Sequence, residues 1–550
     1  MVWLGAGMPG VSRAQGRADA GGAAGLYAVP DGELREHEIW PHRPVRRGVG
    51  EKRIFQEVVR MKLVVDELGN VVSAEAAEDS HAAYRAAAVE EAKRWKYVPF
   101  EKDGLAVKAG FEDYVRILPA ERLPTKQEAF PTLNGTKGVV MALSRSRCYG
   151  TCPAYRVEIH GDGTVIYSGE ESVVVKGVHS DHLSKEAVEE LIEAFRKADY
   201  FSLEEEYRAQ ITDQPTYATS FAVDQVKRGV TDYAGDRMGM PQAITDLEET
   251  IDRVADTKKW IKGTEETVPT LERGGFNFRS EEADDLLSRS AAAGSAALVK
   301  ALLAEGVSVN GKTERGQTAL TAAAGIGNSE IVEMLIKAGA GKNNVRETTS
   351  ALGAAAKTGD AKLVEELLAH GGNAGGVIQD AEGTRTVLMD AAASGVAEVV
   401  EKILSAHPDL NARDAQGRTA VWYVINEGTY WDEKRHADRA EAIRLLAKAG
   451  VDLNAQDNEG NSALHGTFQK ELAAALILEG ANVNLRNNRG ETPLMTTSSL
   501  EVMKLLVAAG ADVKAKDEEG KTALDHVMEE ERAGEREKYL RGLGGKRGGS

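Results

Sequence analysis

The chain is poor in cysteine, proline and aromatic residues and has no long apolar run: its 550 residues include two cysteines and 14 prolines, and 5% are aromatic. Because a membrane-spanning helix needs about 20 consecutive apolar residues, we expect no integral membrane segment. Basic residues are also in deficit, with 68 Lys and Arg against 86 Asp and Glu and a formal net charge of -18. This balance argues against a non-specific nucleic-acid binder, which would carry a basic face.

Catalytic and cofactor motifs are missing as well. The sequence contains no H-E-x-x-H, no G-x-S-x-G and no strand-flanked G-x-G-x-x-G, so it carries no metalloprotease, hydrolase or dinucleotide signature. We therefore expect no metal, no cofactor and no enzymatic activity. At this length the chain should contain several domains, because single cores rarely grow beyond about 250–300 residues.

The first 32 residues do not resemble a folded element. Residues 2–11 are a short apolar stretch without a preceding Lys or Arg, and Ser12-Arg13-Ala14 has the small residues of a cleavage site. Two interpretations stay open, a secretory signal shortened by a late start codon or a plain disordered tail. In either case the small residues of 17–25 form a linker.

The C-terminal half is built from a repeat that begins with the motif G-x-T-x-L. Successive copies, counted from Leu320, are 32, 36, 33, 43, 30 and 30 residues apart. The glycine suits a tight turn and the Thr hydroxyl can cap a short Ala-rich helix. A second helix with paired large apolar residues follows and ends at a glycine in most copies. These glycines include Gly306, Gly339, Gly450, Gly480 and Gly510.

These positions resemble the ankyrin-repeat family. Residues 450–454 (GVDLN), 480–484 (GANVN) and 510–514 (GADVK) are similar to the G-A-D-V-N junction of that family. The resemblance covers about eight units between residues 283 and 540. It implies an all-α solenoid whose function is to bind another macromolecule.

Three features of the array need a separate explanation. We expect residues 427–439 (EGTYWDEKRHADR) to form an inserted polar loop on one edge, and the two 30-residue intervals to shorten the link between the helices of their units. Residues 306–313 match the phosphate-loop pattern G-x-x-x-x-G-K-T, but that loop needs a strand before it and a helix directly after it. Because Gly306 ends a helix and Thr313 begins the next turn, we interpret the match as a repeat junction.

The turn tips and first helices of such solenoids line a concave face, and here the tips are polar and varied. We predict that they bind a protein partner, with the inserted segment as the first candidate for partner-specific contact. Acidic tips further predict basic patches on the partner and an affinity that weakens with added salt. The oligomeric state stays open. The predicted surface comprises Glu314, Arg315, Asp414, Gln416, Tyr430, Trp431, Asp457, Glu459, Asn487, Arg489, Asp517 and Glu519.

Residues 54–118 predict strand, strand, helix and strand, with apolar and polar residues alternating along 59–65. The segment resembles the C-terminal domain of the TonB family through V-D-E-x-G-x-V, A-x-x-E-A-x-x-W-x-Y-x-P-F and D-G-x-x-V. A TonB energy transducer also has a membrane helix and a long Pro-rich linker, which this sequence does not contain. The resemblance therefore implies a binding module, in which we expect Trp95 and Tyr97 to be core residues.

Residues 132–262 predict a second α+β region. Strands are expected at 139–143, 155–159 and 164–168, and helices after Ser184 and from Pro241 to Trp260. The region resembles a bacterial domain family of unassigned function through three motifs. They are C-x-G-x-C-P-x-Y at 148–155, G-D-G-x-V-x-Y-x-G at 161–169 and T-D-x-P at 212–215.

Cys148 and Cys152 admit several interpretations. A local disulfide is feasible because the intervening glycine lets the loop close, and it suits an exported protein. A zinc site would need two further ligands, such as His160, His179 or His182. A catalytic cysteine would need a histidine and an orienting carboxylate, and a cytosolic protein would keep both thiols reduced. We favour the disulfide.

The sequence thus predicts a multidomain chain. Two small α+β domains, the first a three-stranded sheet plus helix and the second an antiparallel sheet plus helices, precede an all-α ankyrin-repeat solenoid. The expected boundaries are 1–32 for the leading segment, 33–120 and 131–265 for the α+β domains, and 280–550 for the repeats. The favoured function is a non-catalytic protein–protein interaction protein of the bacterial cell envelope, periplasmic or at the cell surface. The alternatives are a hydrolase or thiol enzyme centred on the Cys148 and Cys152 domain, and a cytosolic ankyrin regulator.

Overall fold

The computed structural model describes residues 27–29, 38–39, 44–46, 58–80, 82–102, 105–122, 124–313, 315–380, 383–426, 433–528 and 534–548. These residues form two compact units that divide between Phe276 and Asn277. The first unit is rich in β-sheet and the second is a helical array. Among the described residues, no helix has the length and apolar character needed to cross a membrane. Of the predicted leading segment 1–32, the structure describes residues 27–29 alone, and there the prediction was wrong, because Tyr27–Ala28 form a short strand that pairs with Ala109 and Gly110.

Strand alternation builds the first sheet. β4 (Val58–Val65) pairs antiparallel with β5 (Val71–Ala76) and β9 (Ala109–Leu118), and α1 (Ala82–Ala92) packs against β4 and β5. The four apolar residues that alternate along β4 are at most 1% exposed. The alternating pattern therefore predicted this strand and its buried face correctly.

Six short strands complete this region, namely β1 (Tyr27–Ala28), β2 (Glu38–Ile39), β3 (Val45–Arg46), β6 (Lys96–Tyr97), β7 (Phe100–Lys102) and β8 (Leu105–Val107). β1 and β3 pair parallel with β9, whereas β2 pairs with β6 and β7 with β8. Trp95 and Tyr97 lie in the core, as predicted. The Tyr97 hydroxyl donates a hydrogen bond to Oδ2 of Asp113, 2.6 Å away.

The second sheet comprises β10 (Val140–Arg145), β11 (Ala154–His160), β12 (Thr164–Glu171), β13 (Gly177–His182), β14 (Glu206–Arg208), β15 (Tyr217–Val223) and β16 (Val226–Tyr233). Their order is β13-β12-β11-β10-β15-β16-β14. α2 (Lys185–Lys197) and α3 (Gln242–Val254) pack on one face. Ser184 caps α2 by accepting a hydrogen bond from the Ala187 N–H at 3.2 Å, as predicted.

The helix predicted from Pro241 to Trp260 is shorter in the structure. α3 ends at Val254, and two short helices follow, α4 (Lys258–Ile261) and α5 (Thr267–Arg273). Thr257, which is buried in the break, hydrogen-bonds through its hydroxyl to Asp252 of α3, and this contact ends the helix.

The two α+β regions, predicted as separate domains, contact each other within the first unit. Arg116 of β9 pairs with Asp236, and the N–H of Arg122 donates to the carbonyl oxygen of Gly239 at 2.7 Å. The structure therefore presents both regions as one compact body.

The second unit contains eight pairs formed from a first helix, or a 3-10 turn in one case, and a second helix, counted over its described residues. The pairs are α6 (Glu281–Ala292) with α7 (Ala296–Ala304), α8 (Ala319–Gly325) with α9 (Ser329–Lys337), α10 (Val345–Thr358) with α11 (Ala361–Ala369), α12 (Val387–Ser394) with α13 (Ala397–Ser405), α14 (Ala420–Asn426) with α15 (Glu433–Ala449), the 3-10 turn Ala463–His465 with α16 (Lys470–Leu478), α17 (Pro493–Thr496) with α18 (Leu500–Ala508), and α19 (Ala523–Met528) with α20 (Gly534–Gly542).

The repeat signatures behave as predicted. Thr318 caps α8 by accepting a hydrogen bond from the Thr321 N–H at 3.3 Å. The five glycines expected to end second helices all adopt positive φ, as at Gly510 with +92°. In the fourth pair His407 takes this conformation at +54°.

The phosphate-loop match at residues 306–313 lies at a repeat junction. α7 ends at Ala304 and α8 begins only at Ala319. No helix N-terminus follows the match directly, so the geometry that converges backbone N–H groups on a phosphate is not formed by this described segment.

Two irregular features differ from the prediction. The 30-residue intervals shorten the first helix and not the link, because these units lack the Ala-rich stretch after Leu464 and Leu494; α17 has four residues and the equivalent 3-10 turn has three. The inserted segment is not entirely a loop. α15 begins at Glu433, so residues 433–439 form its first turns, whereas 427–432 lie outside the described residues.

An unpredicted β-hairpin, β17 (Val377–Asp380) and β18 (Gly383–Thr386), occupies the 36-residue interval between Leu352 and Leu388. At its base the Arg385 Nε lies 2.5 Å from Oδ1 of the buried Asp390. The longer interval is therefore an addition to the turn and leaves the helix pairs intact.

Candidate functional site

The turns of the later repeats fold around an Asp or Asn side chain. Oδ1 of Asp457 accepts hydrogen bonds from the N–H groups of Glu459 and Asn461, both at 2.9 Å. Asp414, Asn487 and Asp517 make the same pair of bonds in their own turns. Such Asx turns satisfy backbone donors that a turn otherwise leaves unpaired.

The predicted binding surface therefore needs correction. Asp414, Asn487 and Asp517 are 9%, 7% and 9% exposed, and Asp457 is half-buried. Their side chains point into the turn and hold its shape, so they do not offer contact groups to a partner. The signal was present in the sequence as an Asp or Asn three residues before the turn glycine, a spacing typical of an Asx turn.

Five predicted residues are exposed, and four of them lie in one row. Gln416, Glu459, Arg489 and Glu519 each stand immediately before the turn glycine in successive repeats, and Arg315 has the same place in the second pair. We call the four consecutive residues the turn row. Glu314, Tyr430 and Trp431 lie outside the described residues.

Backbone hydrogen bonds join neighbouring turns. The carbonyl oxygen of Gln416 accepts from the N–H of Asn458 at 2.9 Å, and that of Glu459 accepts from Asn488 at 3.0 Å. The Arg489 carbonyl accepts from the next turn in the same way, at 3.0 Å. Each residue of the turn row is therefore fixed relative to the next one.

A second ladder of hydrogen bonds, formed by side chains, was not predicted from the sequence. The Gln456 side chain donates through Nε2 to the carbonyl oxygen of Arg486 at 2.8 Å. Arg413 makes the equivalent bond to Gln456, and Arg486 makes it to Lys516. We call these contacts the side-chain ladder. It depends on long donor side chains at one position of the repeat, which composition alone does not reveal.

The charge of the turn row is mixed and not uniformly acidic. Arg489 pairs with Glu491, Nε to Oε2 at 2.9 Å, and Glu519 pairs with Lys521 at 3.0 Å. Glu491 is buried, but the Arg489 and Glu519 side chains are 72% and 74% exposed and largely solvated, so their ion pairs contribute little to stability. They remain available for exchange with charges on another molecule.

Ligand-type atoms of Glu491, Asp517 and His526 lie within 4.8 Å of one another at the last turn. His526 Nε2 lies 2.8 Å from Oδ2 of Asp517, and Glu491 Oε2 accepts from Asn487 at 2.7 Å. Tyr423 contacts Asp414 in the same way, with its hydroxyl 2.9 Å from Oδ2. The cluster is therefore a repeat of a turn-stabilising hydrogen bond.

In the first unit, the sulfur atoms of Cys148 and Cys152 lie at disulfide distance, with Cα atoms 5.6 Å apart. The loop between them carries Tyr149, which is 86% exposed. Ser146 and Thr216 exchange two hydrogen bonds of 2.9 Å. These bonds bring the T-D-x-P and C-x-G-x-C-P-x-Y motifs together at one end of the sheet.

The histidines considered with these cysteines do not converge on them. His160 ends β11, while Cys152 precedes its first residue, so about 20 Å of strand separates them at roughly 3.3 Å per residue. His160 lies 3.0 Å from a carboxylate oxygen of Glu158. His179 stacks on Trp260 with ring centroids 5.6 Å apart. His182 pairs in register with a residue beside the G-D-G turn, away from the cysteines.

The G-D-G-x-V-x-Y-x-G motif has a packing explanation. A Cβ at Gly161 would lie 1.6 Å from the carbonyl oxygen of Thr136, and one at Gly169 would lie 2.3 Å from that of Val175. Both glycines therefore permit a close backbone approach. Tyr167 of the motif is fully buried and stacks on Trp260, with centroids 5.2 Å apart.

A buried polar cluster joins β11 to α3 in the first unit. The Tyr155 hydroxyl donates to Oδ1 of Asp252 at 2.5 Å, and Arg145 lies 4.4 Å from the Tyr217 ring centroid. Burial raises the pKa of Asp252, and it raises the pKa of Glu248 well above its usual range. Such clusters occur at functional sites and also as structural networks.

Comparisons with known proteins agree with the repeat geometry. Residues 287–375 match ankyrin repeats (3 copies), and residues 476–527 match ankyrin repeats (many copies). The C-terminal half is an ankyrin-repeat region. The irregular middle of the ankyrin array, with the hairpin and the insertion, lies between the two matched segments. Residues 139–255 match DUF6438, a domain of unknown function, so the second sheet belongs to a DUF6438 domain.

The crystal structure of the human ASB11 ankyrin repeat domain is similar to part of the chain at 25% sequence identity. The similarity covers 40% of this chain and 94% of that chain, with a TM-score of 0.33. No curated protein matches the chain. Ankyrin repeats suggest a role in protein–protein interaction and are typically non-catalytic.

Proposed function

We propose that this is a non-catalytic protein-binding protein that captures a partner on the turn row of its ankyrin repeats. The observation that carries the proposal is the geometry of that row. Gln416, Glu459, Arg489 and Glu519 are exposed, and backbone hydrogen bonds fix their spacing before any partner arrives. A preorganised surface loses little conformational entropy on binding.

The partner carries basic patches that face the acidic members of the row. Glu459 and Glu519 supply carboxylates, and the chain has a formal net charge of -18. Such an interaction weakens with added salt, because exposed charges are screened beyond about 8 Å at physiological ionic strength. An affinity that is unchanged between low and high salt would contradict the electrostatic form of the proposal.

Site-specific photocrosslinking in cells tests the turn row directly. A photoreactive amino acid at Glu459 should capture a discrete partner, which mass spectrometry identifies. The matched control is Glu441, which is exposed on the second helix α15. Equal capture from both positions, or capture from the control alone, would remove the turn row as the binding surface.

The N-terminal region 33–120 serves, in this proposal, as a second binding module of the TonB C-terminal type, ahead of the region 131–265 and the repeats 280–550. Its antiparallel strands β4, β5 and β9 with α1 against them support that assignment. The module would add a contact to the same or a second partner.

The protein acts outside the cytoplasm, in the periplasm or at the cell surface. Support comes from the Cys148 and Cys152 pair, whose sulfur atoms lie at disulfide distance and which an oxidising compartment would keep bridged. Alkylation of free thiols in freshly lysed cells, followed by mass spectrometry, tests this. Two alkylated cysteines would instead favour the cytosolic ankyrin regulator.

A further inference from the structure

The chain beyond α20 folds back onto the last turn of the array. The N–H of Gly548 donates to Oδ2 of Asp525 at 2.7 Å, and Arg547 Nε lies 3.0 Å from Oδ1 of the same carboxylate. Asp525 is 7% exposed. Both of its oxygens are therefore engaged by one short segment.

The last turn also forms hydrogen bonds to the backbone of residues 546–548. The Thr522 hydroxyl donates to the carbonyl oxygen of Lys546 at 2.9 Å, and Lys516 Nζ lies 2.6 Å from that of Gly548. A Cβ at Gly548 would lie 1.8 Å from the carbonyl oxygen of Gly520. The position accepts glycine only, because any side chain would collide with backbone.

The bond from Lys516 to Gly548 is the next rung of the side-chain ladder. Arg413, Gln456 and Arg486 each donate to the carbonyl oxygen at the equivalent position of the following repeat. Residues 546–548 thus occupy the place of a further turn. They do so with an Arg-Gly sequence and not with an Asx turn.

None of these contacts requires the segment to be continuous with α20. The carboxylate of Asp525 recognises a guanidinium and an N–H, and the surrounding groups recognise carbonyl oxygens, which any extended Arg-Gly segment supplies. Burial alone would raise the pKa of Asp525, but its hydrogen bonds from Thr522, Arg547 and Gly548 hold that pKa far below its usual range. The carboxylate is therefore charged at neutral pH. The Arg547 side chain is 61% exposed, so its ion pair is weak enough to exchange.

We propose that the last turn of the array, residues 516–525, is a binding site for an extended Arg-Gly segment of a partner protein, and that residues 546–548 occupy this site in cis. The inference deepens the proposed protein-binding function and rests on it. It specifies the kind of sequence, an extended Arg-Gly segment, that the end of the array binds. The tethered segment competes at high effective concentration, so the partner binds only when its own segment displaces the tail.

The probe is the fluorescein-labelled peptide GGKRGGS, measured by fluorescence anisotropy with the full chain. Arg547→Ala loosens the cis contact, and we expect this variant to bind the peptide about tenfold or more tightly than the unaltered chain. The peptide GGKAGGS keeps the backbone contacts and lacks the guanidinium, so it should bind about tenfold more weakly than GGKRGGS. Asp525→Asn, added to Arg547→Ala, should abolish binding of GGKRGGS.

Equal affinities of the unaltered chain and the Arg547→Ala variant would overturn the inference, as would binding of GGKAGGS as tight as that of GGKRGGS. The alanine peptide keeps the test independent of folding, because it leaves the protein unchanged. Photocrosslinking at Glu459, carried out on the same variants, reports separately on the turn row. If the peptide does not bind while crosslinking at Glu459 persists, the Arg-Gly site is contradicted and the proposed binding function of the turn row is not.

Discussion

The guanidinium of Arg439 donates a hydrogen bond to the carbonyl oxygen of Ala393, 3.1 Å away and 46 residues earlier in the chain. A second bond reaches the carbonyl oxygen of Val424. These acceptors lie near the C-terminal ends of α12 and α14, where carbonyl groups lack helical partners and the helix dipole favours a cation. Arg439, the last residue of the inserted segment, therefore stabilises two neighbouring repeats, beyond presenting a polar group at an edge.

Replacing Arg439 with Met should reduce the free energy of unfolding by about 2 kcal/mol or more, because two buried carbonyl oxygens lose their donor. Urea denaturation followed by circular dichroism measures the change. The control is Arg444→Met, which removes an exposed pair with Glu441 (2.7 Å) and should cost about 0.5 kcal/mol or less. Equal losses would show that Arg439 has no special role.

Stability of the first unit should fall as pH rises through about 6, because burial raises the pKa of Asp232 to about 6. The folded state holds this proton more tightly than the unfolded state, whose carboxyl has an ordinary pKa. The stabilisation is therefore present at low pH and is lost as pH rises; between pH 5 and 7 the loss is about 1 kcal/mol. The negative charge of the nearby Asp236 also raises the pKa of Asp232.

Thermal unfolding at a series of pH values measures this effect. Asp232→Asn should flatten the dependence, since an amide imitates the protonated acid at every pH and can still accept from the Gly235 N–H, which lies 2.6 Å from Oδ1. An undiminished slope in the variant would assign the titration to other groups.

Asp457→Ala should cost about 1 kcal/mol, because two backbone N–H groups of the turn lose their acceptor. Asp457→Asn should be nearly neutral, since Asn487 already fills the equivalent place in the next repeat with the same two bonds. Chemical denaturation of both variants checks the comparison. If the two substitutions cost the same, the charge and not the Asx turn matters at this position.

Breaking the Cys148–Cys152 bridge should lower stability by about 2 kcal/mol, the entropy of closing a loop this short. Thermal unfolding of the periplasmically produced protein, with and without dithiothreitol, measures the loss. The double variant Cys148→Ser, Cys152→Ser should have the stability of the reduced protein, and dithiothreitol should not change it. A response of the double variant to dithiothreitol would trace the effect to something other than this bridge.

Local signals predicted most of the helical array. The Thr cap at 318 and the glycine at 510 each act within a few residues of their own position, so periodicity and turn chemistry were sufficient to locate them. The exposed residues of the turn row were harder to predict. Asp414 and Gln416 are both polar and two residues apart, and only the spacing of Asp414, three residues before the turn glycine, indicates which of the two is buried.

The polar cluster of the first unit could not be predicted in the same way. Arg145 and Asp252 come from a strand and a helix more than 100 residues apart, and no local pattern joins them. One hint was available: Glu248 and Asp252 are spaced i, i+4 on the face of α3 that also carries Leu247 and Ile251. Acidic groups among buried apolar residues indicate a partner elsewhere in the fold.

The side-chain ladder makes the array tolerant of change in its length. Every rung joins only adjacent repeats, so a duplicated or deleted unit would restore the same bond at its new neighbour. The interval of 43 residues between Arg413 and Gln456 includes the inserted segment, yet the rung is formed there as it is across the 30 residues from Gln456 to Arg486. Over evolutionary time, recombination could thus lengthen or trim the protein and keep its remaining turns in register.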